Sequence, residues 1–99
     1  MTVGRMKKIR LRDLPDWPPQ PGGAYKSGTR FPTAGEAVVD DVLPLDGTSI
    51  TFRAQYDDAP HSYHYYASSE KIANQIHNVV AANMGKTVAE LGEFEIEAD

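Results

Sequence analysis

The chain contains no cysteine. Disulfides, thiolate catalysis and cysteine-ligated zinc or iron–sulfur centres are therefore excluded. It also lacks any apolar run near the ~18–20 residues that a membrane-spanning helix requires. Residues 1–12 carry basic side chains but neither an apolar stretch nor a small-residue cleavage site, so they do not read as a secretory signal. A cytoplasmic protein with no membrane attachment is the expectation on those grounds.

The signatures of site chemistry are also missing. Gly85, Lys86 and Thr87 look like the end of a phosphate loop, but that motif needs a glycine at position 80, which is Val80. The segment also follows a helix, whereas a phosphate loop joins a strand to one. Asp57, Asp58, His61, His64 and His77 are the material available for a metal site, and their spacing matches no known ligand set. On a regular strand His61 and His64 face opposite sides, because their offset is odd. Asp40 with Asp41, and Asp57 with Asp58, are adjacent carboxylates that diverge on a strand, while general acid–base work needs convergence on one cleft. No nucleophile elbow is present. The expectation is a protein that is not an enzyme and that holds no metal or cofactor, with a small hydrolase or metal protein as the third reading behind the two functional classes below.

What is present is the composition of one ordinary globular domain: 99 residues, 40% hydrophobic and 24% charged. A chain of this length buries roughly two-thirds of its unfolded surface, enough for one modest core. We therefore read residues 1–99 as a single domain, with a proline- and glycine-rich segment and long loop at 15–35. Charge is unevenly spread within it. Residues 1–30 sum to +5 and residues 31–99 to −9, giving the net −4. Such asymmetry marks either a basic arm for an acidic partner or two halves that face each other in the fold.

Hydrophobic periodicity places the elements. Residues 8–12 alternate basic and apolar, the period-2 pattern of a half-buried strand with Ile9 and Leu11 inward. Pro15, Pro18, Pro19 and Pro21 make residues 15–23 unfit for helix or central strand, so polyproline II followed by a turn is expected. Residues 24–35 lack periodicity and read as a long loop. Residues 36–45 read as a strand with a bulge near Asp40 and Asp41, and Asp46-Gly47 is a hairpin signal. Ile50, Phe52, Ala54 and Tyr56 then point one way, with Thr51, Arg53 and Gln55 opposite. A turn at residues 57–60 leads to a third strand at 62–66.

Ser68 or Ser69 caps a helix over 69–84, whose buried stripe is expected to be Ile72, Ile76, Val79, Val80 and Met84, with Asn74, Gln75, Asn78 and Ala82 outside. Gly85 ends it. Thr87 and Glu90 fit a capping box for one more helical turn up to Gly92. Residues 93–97 alternate acid and apolar as a closing strand, Phe94 and Ile96 inward. The fold class is α+β: a curved, mostly antiparallel sheet of about five strands with one long helix on a face. The alternative is a small, partly open barrel.

The first and last strands are mirror patterns. Paired, they set Lys8, Arg10 and Arg12 against Glu93, Glu95 and Glu97 on the solvent face, with Ile9 and Leu11 beside Phe94 and Ile96 in the core. Pairing within one chain closes the sheet; pairing between chains builds a dimer.

Function divides between two classes. A non-enzymatic binding or assembly module, engaging a protein partner or a second copy, is favoured because the chain offers surfaces and no chemistry. The surface read from the sequence comprises Lys8, Arg10, Arg12, Trp17, Tyr63 and Tyr65. Arg12, Pro15 and Pro18 formally match a proline-rich ligand, although a lone tryptophan more often pins such a segment to its own domain. The second class is a nucleic-acid-associated protein using Lys7, Lys8, Arg10 and Arg12. A stacking platform of Tyr56, Tyr63, Tyr65 and Tyr66 with Phe52 and Arg53 is opposed by the acidity of residues 31–99.

Overall fold

A computed structural model describes residues 7–22 and 36–99 of the chain. The loop expected at 24–35 therefore lies outside the described residues, as do Lys26 and Arg30. Among the described residues six strands form two antiparallel sheets. A four-stranded sheet has the order β2 (Pro21–Gly22), β5 (Ala59–Tyr66), β4 (Ser49–Tyr56), β3 (Val38–Val42), and a two-stranded sheet joins β1 (Lys8–Arg10) to β6 (Glu95–Glu97). The main helix, α1 (Glu70–Ala82), packs against β3, β4 and β6, and a single helical turn, α2 (Val88–Leu91), follows it. The class is α+β, and the sheet is not closed into a barrel. Among the described residues no helix is long and apolar enough to cross a membrane.

The β4–β5 hairpin turns on Asp57 and Asp58 alone, with φ of 53° and 60°. Two consecutive left-handed residues give the turn whose twist matches its strands, and aspartate is among the few side chains that tolerate the conformation. The turn fixes the register, which sets Tyr63 opposite Phe52 and Tyr65 opposite Ile50. All four are buried and form the inner face with Val39 and Ala54. Pro60, opposite Gln55, lies inside β5. A ladder tolerates proline where its nitrogen faces away from the partner strand.

In β3 the register shifts between Val39 and Asp41, the bulge expected there. The two carboxylates it splays apart are tied across the outer face. Asp40 accepts from Gln55 Nε2 at 2.9 Å, and Asp41 from Arg53 at 3.1 Å.

Ser69 caps α1 by accepting the Ile72 N–H at 3.2 Å. Ile72, Ala73, Ile76 and Val80 are buried, with Val79 half-buried. Met84 is not in this stripe: it is 51% exposed. The helix stops at Ala82, so the spacing that would carry position 84 inward is interrupted. Gly85, at φ +98°, then turns the chain back along β3. Its N–H reaches Val39 O at 2.7 Å, Val39 N–H returns to Lys86 O at 2.9 Å, and Val88 N–H reaches Ala37 O at 3.0 Å. The segment that mimics a phosphate loop thus closes the outer edge of the sheet. Thr87 and Glu90 complete the capping box of α2, and the Thr87 main-chain and side-chain bonds hold the Glu90 carboxyl below its usual pKa.

The chain ends pair within one chain, in the register Lys8 to Glu97, Ile9 to Ile96, Arg10 to Glu95. Strand β1 is shorter than the 8–12 expected. After Arg10 the chain tightens into a 3-10 turn, Leu11–Asp13, which buries Leu11 fully. The pairing outlasts the strand: Leu11 N–H bonds Phe94 O at 3.0 Å, and Arg12 reaches Glu93 at 2.8 Å. Gln75, expected on the outer face of α1, instead covers the far edge of β6. Its carboxamide donates to Glu97 O at 2.8 Å and accepts the Glu97 N–H at 2.7 Å, as a neighbouring strand would.

This register sets a test. Arg10→Glu places like charges opposite Glu95 and is expected to cost up to about 1 kcal/mol in denaturant unfolding at low salt. Glu95→Arg in the same chain should restore part of that loss, and added salt should shrink both effects. A double variant no more stable than the sum of its singles would count against the register.

Candidate binding groove

The proline segment is held to the sheet by two aromatic side chains. Trp17 is 9% exposed, its ring edge-on to Tyr65 at 5.3 Å and roughly stacked on Phe52 at 6.5 Å. The Tyr65 hydroxyl donates to Pro15 O at 2.7 Å. Burial, and then the nearby Asp16 carboxylate, raise the pKa of that hydroxyl above the ordinary tyrosine value, so it remains a donor. Gly92 lets the segment lie close: a methyl group there would stand 3.1 Å from Arg12 Cβ and 3.4 Å from Trp17 Nε1.

Strand β2 pairs Pro21 with Tyr63 and Gly22 with Ser62, and its ladder goes no further toward Pro19 and Pro18. Neither of those prolines has an N–H to offer. Beside the C-terminal half of β5 the segment therefore leaves a groove of about 370 Å³, lined by Asp16, Pro18, Pro19, Gln20, His64, Tyr65 and Tyr66. Tyr66 is 72% exposed. The His64 ring is held by a 3.0 Å hydrogen bond between Nδ1 and Thr51 Oγ1.

The residues singled out from the sequence divide. Trp17, Tyr63 and Tyr65 are 9%, 1% and 5% exposed, so they are core residues rather than an outer contact surface. Tyr65 alone of the three also lines the groove. The reason is the β4–β5 register: once Phe52 and Ile50 point inward, so do their partners Tyr63 and Tyr65, while His64 and Tyr66 point out. Lys8, Arg10 and Arg12 are exposed, the first two opposite Glu97 and Glu95 and the third on Glu93. His61 is buried and His64 exposed, as their odd offset requires, and His77 meets Leu43 O at 3.1 Å through Nε2. Among the described residues no three of His, Asp and Glu converge on one point.

Sequence reasoning passed over Asp16, Pro18, Pro19, Gln20, His64 and Tyr66 as a set. A signal for two of them, His64 and Tyr66, was present. A two-residue turn at 57 and 58 fixes which alternate residues of β5 face outward.

No protein-family model matches the chain, and neither a curated protein nor a solved structure matches it.

Proposed function

We propose that the chain is a single-domain, non-enzymatic binding or assembly module, acting in the cytoplasm, whose contact surface for a protein partner is the groove between the proline segment and β5. The observation that carries this reading is Tyr66, a large aromatic side chain 72% exposed beside a wall of prolines. Exposed aromatics are frequent anchors of protein interfaces. The wall opposite is anchored by Trp17 and by the Tyr65–Pro15 bond, so little ordering cost remains on binding.

Nucleic-acid association through Lys7, Lys8, Arg10 and Arg12 is the weaker reading. Glutamates already oppose the last three of these cations, and phosphate binding depends on uncompensated basic charge.

Affinity capture from the native host should separate the two. With Tyr66→Ala as bait, the specific partner is expected to fall roughly tenfold or more, the loss for truncating an interface aromatic worth about 1.4 kcal/mol or more. The variant's own stability should move by no more than about 0.5 kcal/mol, since the side chain is at the surface. Undiminished capture by Tyr66→Ala, with salt-sensitive retention on DNA lost on reversing Lys8 and Arg10, would favour the nucleic-acid reading instead.

A further inference from the structure

We propose that the groove receives an arginine side chain from an extended segment of a partner protein, its guanidinium on Asp16 and its stem between Tyr66 and the prolines. This rests on the reading of the groove as the contact surface, and it names the chemistry that surface selects.

Charge complementarity is the first argument. Among the residues that line the groove, Asp16 carries the one fixed charge, and it is negative. It is exposed, and no cationic group of the described residues forms an ion pair with it. Asp41 is paired with Arg53 and Glu93 with Arg12; Asp16 belongs with the exposed carboxylates that have no such partner among the described residues, and it is the one of them that lines the groove. The Asp16 carboxylate therefore lines the groove with no cationic partner among the described residues, and it lies near the Tyr65 hydroxyl, whose pKa burial first and this carboxylate second raise. An acidic segment would be repelled.

The walls supply the second argument. Tyr66 and Pro18 are exposed and offer an aromatic and an apolar ring, while Pro19 also lines the groove but is buried. An aliphatic stem packs on such surfaces while its charged head stays in water or on a carboxylate. A planar guanidinium also stacks on an aromatic face and bonds a carboxylate through two parallel donors, which an ammonium cannot do. Arginine is thus preferred to lysine.

The backbone makes the segment extended. Ala67 N–H bonds Thr48 O on the β4 side at 3.0 Å, so by strand alternation the Tyr66 N–H and C=O point the other way, toward the groove. Pro18 opposite has no N–H with which to meet them. An incoming peptide backbone can.

The test uses the full chain labelled with 15N and three blocked tripeptides: Ala-Arg-Ala, Ala-Lys-Ala, and the same peptide with uncharged citrulline. Backbone amides of Asp16, Gln20, His64 and Tyr66 are followed by NMR titration at low salt. The arginine peptide is expected to shift these amides saturably, with citrulline weaker by about tenfold and lysine between them. Asp16→Asn should erase the preference for arginine over citrulline. Asparagine tolerates the left-handed backbone at this position, where φ is 62°, so the variant is expected to fold.

Equal shifts from arginine and citrulline peptides, unchanged by Asp16→Asn, overturn the arginine inference and leave the groove as a contact surface. Shifts away from the groove, or none at millimolar peptide, overturn the inference as well. In that case, if capture by Tyr66→Ala is also undiminished, the contact-surface reading falls with it. Molar mass measured in the same solution covers one remaining occupant. Association that rises with protein concentration, and that blocks the peptide, would replace the partner protein by the basic segment of a second copy.

Discussion

Replacing Phe52 with alanine is expected to remove about 3–5 kcal/mol of stability, a large share of the ~5–15 kcal/mol that a domain of this size possesses. Phe52 is fully buried at the centre of β4. Its ring lies parallel to Tyr63 at 5.1 Å and roughly stacked on Trp17 at 6.5 Å. Truncation therefore removes two ring contacts besides the transfer energy, and leaves a cavity walled by aromatic side chains too large to close over it. Urea unfolding followed by Trp17 fluorescence measures the loss directly. The native emission should be blue-shifted and should move to the red on unfolding, because the indole is largely buried. A loss under about 1 kcal/mol would mean that the aromatic cluster is not packed as described.

Ile76→Ala is expected to cost about 2–5 kcal/mol. Ile76 is fully buried at the middle of α1, on the face that meets both sheets. Met84→Ala is the control: with 51% exposure beyond the helix end, it should change stability by no more than about 0.5 kcal/mol. The pair separates the buried stripe from its apparent continuation. A cost at Met84 as large as at Ile76 would require the helix to run on past Ala82.

These two residues also mark where the sequence was legible. Ile72, Ile76 and Val80 were readable because a stripe along a helix is a local pattern, visible within one window of sequence. Met84 fits the same spacing, but a helix end is set by where the chain must turn, here at Gly85 to meet β3. The pairing of the termini was readable despite its long separation, since opposite charges on matched alternation specify partner and register together. Strand β2 left no trace: a Pro-Gly pair has no alternation and joins the sheet only because β5 offers it an edge. The role of Gln75 was hidden for a related reason. On the helix it is one polar residue among several, and only the approach of β6 gives its carboxamide a main chain to bond. The groove was least legible, being the space left where a proline segment and a strand end diverge. Tyrosine-rich β5 drew attention to Tyr63 and Tyr65, whereas exposure belongs to the alternate residues His64 and Tyr66.

The ladder between β1 and β6 has a topological consequence. Ala98 N–H bonds Lys7 O at 2.7 Å, so the first and nearly the last of the described residues lie side by side. Residues bonded across an antiparallel pair lie about 5.5 Å apart between their Cα atoms. The stretch from Lys7 to Ala98 can therefore be spliced into a surface loop of a host protein almost as a knot of no length, leaving the host's two halves where they stood. By the same geometry a short linker could join these points while the chain is cut at the Asp57–Asp58 turn, giving a permuted order of the same elements with every sheet neighbour kept.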